Sequence, residues 1–177
     1  MFFNENFPWL LSFLAALVLI NRASIDLFRS SLYNTAAKIG TNVIIRASVH
    51  THFPWKVTIG DYSWIGDGVV LYSLADINIG NNVVISQKSY LCAGSHDYRY
   101  VEFPTTNSPI TIEDECWLAT DVFVAPGITV GKGTVVGARS SVFKSLPAGK
   151  ICAGSPAVCF RDRETLSSFK QSHHPTD

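Results

Sequence analysis

From Ile39 onward the chain keeps a six-residue beat. Aliphatic residues stand at Ile39 and Ile45, at Ile59, Ile65 and Leu71, at Ile79, Ile85 and Leu91, at Ile112, Leu118 and Val124, and at Val130, Val136 and Val142. The residue two before a beat is usually small or β-branched (Ser63, Val83, Ser89, Val122, Thr134, Ser140), and the residue after it is often small (Gly40, Gly60, Gly66, Gly80, Ala119, Ala125, Gly131, Gly137). Side chains alternate along a strand, so the beat residue and its neighbour two before point the same way, and both are of core type. A helix would repeat its apolar face every three or four residues, and an antiparallel sheet would need hairpin signals that are missing. Each six is therefore a short strand plus a tight turn, and three sixes close one coil. Coils start at positions 39, 59, 79, 112 and 130, with two-residue additions in the first two and an insertion, Asp97 to Thr111, in the third. The spacing predicts an all-β solenoid: a parallel β-helix of about five coils stacked at the ~4.8 Å strand spacing, with one protruding loop over 97–111.

A chain of 177 residues that is 47% hydrophobic can bury one sizeable core. Its 14 basic and 14 acidic residues cancel, which leaves no basic footprint for nucleic acid. Cys92, Cys116, Cys152 and Cys159 form no C-x-x-C pair and have apolar neighbours, the pattern of free buried thiols in a reducing compartment; this points to the cytoplasm.

Residues 1–35 obey different rules. The stretch "FPWLLSFLAALVLI", Phe7 to Ile20, is shorter than the ~20 residues that cross a bilayer and lacks a basic start. Ile25, Leu27, Phe28, Leu32 and Tyr33 then alternate with Arg22, Asp26 and Arg29. We expect one or two N-terminal helices over 1–35 that pack on the main domain or on another subunit, with a peripheral membrane contact as the alternative. The solenoid follows over 36–160 and a polar tail over 161–177.

With its hexapeptide spacing, with "GSHDY" and "PITIEDECWLA", and with "VFVAPGITVGKGTVVGARSSVFKSLPAGKICAGSPA", the chain resembles the hexapeptide-repeat acyltransferases. The likeness is strongest to the acetyltransferases of colanic acid and other exopolysaccharide biosynthesis, relatives of the maltose and galactoside O-acetyltransferases. It implies a left-handed coil, although generic crossover rules favour the right-handed one. It also implies a homotrimer, acetyl-CoA as donor, a saccharide hydroxyl as acceptor and no metal.

The resemblance places the catalytic histidine at His96, where the beat breaks off, with the inserted loop reaching over a neighbouring subunit. His96 stands one residue before the next expected beat, the parity that points outward from the coil, as do Trp64 and Trp117. The chemistry suits the residue type: removing a proton from an alcohol at neutral pH needs a base such as imidazole, whose unperturbed pKa is ~6.5. A backbone N–H must face the oxyanion that forms on the thioester. The pantetheine arm is carried over by resemblance onto Trp117, Ala119, Thr120 and Ala138, the nucleotide phosphates onto Lys144 and the adenine end onto Arg161. On the acceptor side, the maltose and galactoside enzymes place an asparagine near the position of Gly66. This chain offers Asp67 beside it, with Asp97 and Tyr98 as further candidates.

Two other classes use the same solenoid: a non-catalytic scaffold, and γ-carbonic-anhydrase-like enzymes that hold a metal with three histidines. His50, His52 and His96 have the wrong spacing for the latter. His50 and His52 read as surface residues, and His173 and His174 as part of the tail.

Overall fold

The computed structural model describes residues 37–164, so the helices expected over 1–35 and most of the C-terminal tail lie outside the described residues. The rest is a left-handed parallel β-helix with three faces. Face A stacks Lys38–Ile39, Val57–Ile59, Ile77–Ile79, Ile110–Ile112 and Thr129–Val130. Face B stacks Ile44–Ile45, Trp64–Ile65, Val84–Ile85, Trp117–Leu118, Val135–Val136 and Lys150–Ala153, and Val158–Asp162 closes it antiparallel. Face C stacks His50–Thr51, Val70–Tyr72, Tyr90–Cys92, Phe123–Val124 and Ser141–Val142.

The register pairs beat with beat: Ile59 with Ile79, Ile79 with Ile112, Ile85 with Leu118, and Leu91 with Val124. These side chains and the residues two before them, Val83 and Val122 among them, make one continuous buried core. The coil continues further than the aliphatic beat suggested. Leu146 bridges to Val130 and Cys152 pairs with Val136, again six residues apart, after a corner shortened between Val142 and Leu146. About six turns result.

The A–B corner has two devices. Asp61 Oδ1 accepts the Thr41 N–H at 2.7 Å, Asn81 Oδ1 accepts the Asp61 N–H at 2.8 Å, and Asp114 Oδ1 accepts the Asn81 N–H at 2.7 Å. Each side chain thus satisfies a turn donor of the preceding coil. Glycine fills the position before Asp61 and Asn81 because coils touch there: a Cβ on Gly60 would lie 2.6 Å from the carbonyl carbon of Gly80. Gly60→Ala should therefore force two coils apart and cost about 2 kcal/mol, the middle of the overpacking range. Thermal unfolding should register this as a drop of roughly 4–8 °C. An unchanged Tm would show that the coils are not in contact at that corner.

The cysteine expectation is half corrected. Cys92 and Cys116 are free, but Cys152 and Cys159 face each other across the antiparallel strands Lys150–Ala153 and Val158–Asp162 and are joined as a disulfide. The turn between those strands brings into register two cysteines that look unrelated along the chain. It also carries Arg161 and Asp162 into a strand rather than a tail.

The three faces differ on the outside. Face A presents Lys38, Thr58, Asn78, Thr111 and Thr129, a polar row. Face B presents Ile44, Trp64, Val84, Trp117 and Val135, an apolar one. Face C carries an aromatic ladder in which His52, Tyr72, Tyr90, Phe123 and Phe143 follow one another with ring centroids 4.6, 6.2, 6.1 and 5.8 Å apart. Length variation collects at the C–A corner: from Thr51 to Ile59 and from Leu71 to Ile79 the step is eight, and from Leu91 to Ile112 it spans the insertion.

Candidate active site

The insertion is a β-hairpin. Gly94–His96 runs antiparallel to Thr105–Asn107, with His96 opposite Thr105, and the coil resumes at Ile110. His96 is thus not an outward residue of the rigid coil, as its parity suggested, but the last residue of the hairpin's first strand. Its backbone leaves the coil because the antiparallel partner satisfies Gly94–His96 in place of the next coil. The ring is exposed, and Nδ1 lies 2.6 Å from the carbonyl oxygen of Phe103. A carbonyl only accepts, so Nδ1 carries the proton and donates it, and Nε2 is left with the lone pair. Phe103 holds this carbonyl in place from a left-handed backbone, φ 46°, with its own N–H on Tyr100. A contact made by a backbone oxygen leaves no mark on residue type, so nothing in the sequence pointed to Phe103.

Asp97 is engaged by Arg99, and the imidazole by Phe103. Its carboxylate takes Nε and Nη2 of Arg99 at 2.8 and 2.6 Å and the Arg99 N–H at 3.1 Å, contacts that hold its pKa below the usual carboxylate value. Tyr98 is 84% exposed at the hairpin tip, beside Tyr100 and Val101.

The remaining predicted residues stand elsewhere. At the B–C corner, coil-to-coil hydrogen bonds stack Asp67, Gln87 and Thr120 in a column that Ala138 continues, with Ala119 adjoining. Asp67 is held by Ser48 Oγ at 2.9 Å and Arg46 Nε at 3.1 Å; the Ser48 hydrogen bond foremost, and the Arg46 guanidinium after it, lower its pKa. Trp117 is 47% exposed on face B, with Nε1 donating to Ser86 Oγ at 3.0 Å. Lys144 is exposed at the C–A corner two coils beyond the hairpin, and Arg161 is exposed in the last strand. The B–C corner and the hairpin root are separated by the width of face C, Gln87 to Ala93, about 20 Å of extended chain. One subunit therefore brings together Asp67, Ala119, Thr120 and Ala138, and separately His96, Asp97 and Tyr98, but does not join the two groups.

Among the free thiols, Cys116 is buried and its pKa is pushed up to about 11 by burial, so it stays protonated at neutral pH. Lys88, Tyr90, Cys92, Asp121 and Phe123 line a shallow groove on face C, where burial raises the Tyr90 phenol. His50 and His52 are exposed, and among the described residues no three His, Cys, Asp or Glu side chains are grouped to hold a metal.

No family model matches the chain. Sequence comparison finds WcaF of Escherichia coli (strain K12), named as a colanic acid biosynthesis acetyltransferase, 64% identical over 127 residues, 72% of this chain and 70% of that protein. Galactoside O-acetyltransferase of the same organism is 27% identical over 140 residues, covering 76% of this chain and 69% of that enzyme. Among solved structures, a hexapeptide-repeat-containing acetyltransferase of Vibrio cholerae O1 biovar eltor, complexed with acetyl-CoA, superposes with a TM-score of 0.75 at 27% identity, over 81% of this chain and 84% of that one.

Proposed function

The chain belongs to the hexapeptide-repeat acetyltransferases and is an acetyl-CoA-dependent acyltransferase, and from that premise we propose that it acetylates a hydroxyl of a saccharide precursor with His96 as general base. The observation that carries this reading is the state of the His96 ring: Nδ1 is spent on Phe103 and Nε2 is free. The acceptor hydroxyl gives its proton to Nε2 as its oxygen attacks the thioester carbonyl carbon. A backbone N–H holds the oxyanion of the tetrahedral intermediate. The intermediate collapses, the carbon–sulfur bond breaks, and the imidazolium returns its proton to the departing CoA thiolate. No acyl-enzyme is formed, and the protonated Cys116 takes no part.

The assembly that completes this site is a homotrimer. Face A is polar, whereas faces B and C are apolar in different ways, the condition for a heterologous contact in which face B of one copy meets face C of the next. Three copies of a triangular coil close such a ring. As the resemblance implies, the inserted loop reaches over the neighbouring copy toward its B–C corner, with Trp117, Ala119, Thr120 and Ala138 flanking the pantetheine arm and Lys144 and Arg161 at the nucleotide end. Trp64→Asp, which places a carboxylate in the apolar row, should give a folded monomer without transferase activity; light scattering of a stable trimer would count against this interface.

Among the described residues no helix is long and apolar enough to cross a membrane. The N-terminal apolar segment lies outside them, and we assign it a peripheral contact at the cytoplasmic face, where a lipid-linked acceptor would present its sugar.

The test of the whole reading is incubation of the purified protein with acetyl-CoA and a panel of sugars, following thiol release and identifying products by mass. Acceptor-dependent thiol release with a product heavier by one acetyl group is expected. Release that no sugar stimulates would overturn the saccharide assignment.

A further inference from the structure

The C–A corner bears two additions besides the hairpin, and one of them, the turn His52–Lys56, no role has absorbed. Its Pro54–Lys56 segment is a single 3-10 turn opened by proline, and it displays Trp55 at 63% exposure. The turn is tightly anchored. Ser73 Oγ accepts the Phe53 N–H at 2.9 Å and donates to the Phe53 carbonyl at 3.1 Å, Lys56 Nζ donates to the Leu74 carbonyl, and the Lys56 ammonium lies 5.5 Å from the centre of the Phe53 ring. Phe53 supports the indole, with ring centroids 5.3 Å apart. Leu74 in turn packs on Gly94, where a Cβ would fall 2.4 Å from Leu74 Cδ1, so the Trp55 turn is braced against the first residue of the His96 strand.

Trp55 stands two coils before the hairpin root at the same corner, about 10 Å away at the ~4.8 Å coil spacing, the length of a disaccharide. Lys144 stands two coils to the other side, toward the nucleotide. Trp55 also lies off the apolar rows of faces B and C that a neighbouring copy would cover. A large flat ring that rests on Phe53 and is otherwise exposed among the described residues suits a ligand that offers polarised C–H groups rather than an aliphatic surface. One face of a pyranose does so, and its C–H edges complement the negative face of an indole.

The geometry points to Trp55 as the platform on which a pyranose ring of the acceptor stacks, next to the sugar whose hydroxyl is presented to His96. This inference rests on the saccharide reading above. Its test measures binding by saturation-transfer NMR with methyl glycosides of glucose, galactose and mannose, and turnover with the same sugars. In Trp55→Ala and in Trp55→Leu, which keeps apolar bulk without a π face, the Kd and KM for the bound glycoside should rise about tenfold, the scale of one aromatic contact. The KM for acetyl-CoA should stay within about twofold, and Trp55→Phe should keep most of the affinity. A Trp55→Leu variant that matches wild type, a loss of trimer in Trp55→Ala, or wild-type protein that binds none of the glycosides would each overturn the assignment. Wild-type protein that binds a glycoside through Trp55 but forms no ester would instead sink the transferase reading and leave the stacking site standing.

Discussion

His96→Ala should lower acetyl transfer by a factor of order 10² to 10⁴ and leave the KM for acetyl-CoA nearly unchanged. The size follows from the base's task. Without Nε2 the attacking hydroxyl must shed its proton to water while its oxygen bonds to carbon, whereas the contacts proposed for the cofactor do not include the His96 ring. Stability should hardly move, because the ring is exposed and gives up one hydrogen bond to a backbone carbonyl. His96→Asn is the informative companion: its amide nitrogen can donate toward Phe103 as Nδ1 does, but it offers no basic lone pair, so it should be as inactive as the alanine variant. Near-normal turnover in either variant, with the trimer verified and the acceptor saturating, would remove His96 from the chemistry and send the search to Asp67 or Asp97. Both of those carboxylates are already engaged, by Ser48 with Arg46 and by Arg99, which weighs against either as a free base.

What the amino acids disclosed about this fold, and what they hid, follow from where the hydrogen bonds go. Ile79, Leu118 and Val124 are legible because period-six core positions admit few side chains, and the register pairs each with its predicted partner. Leu146 and Cys152 keep the same beat, but the shortened corner between Val142 and Leu146 shifts their phase, and a buried cysteine does not look like an aliphatic beat. The hairpin was visible as an interruption and not as a hairpin, since its strands Gly94–His96 and Thr105–Asn107 are mostly exposed and carry no alternation. The same exposure let His96 be located in the chain while its orientation stayed hidden. The Cys152–Cys159 pair escaped notice because register across a turn depends on backbone geometry, not on spacing alone.

The separation of the two halves of the site leads to the other large effect. His96 belongs to the C–A corner and Ala138 to the B–C corner about 20 Å away across face C, and on the proposed reading the two halves meet between copies. Ala138→Tyr should fill the cofactor groove from an exposed position without disturbing the core and, like His96→Ala, should leave a nearly inactive trimer. Coexpressed with different tags and isolated through both, the two variants form mixed trimers only. Around a ring of heterologous contacts, a 2:1 or a 1:2 trimer contains one junction in three at which an intact His96 meets an intact Ala138. Doubly tagged trimers should therefore recover about one third of wild-type activity from two nearly dead parents, a rise of at least tenfold over either. Activity no higher than the mean of the parents would mean that each site is built within a single chain, and that face B and face C do not meet around a threefold ring.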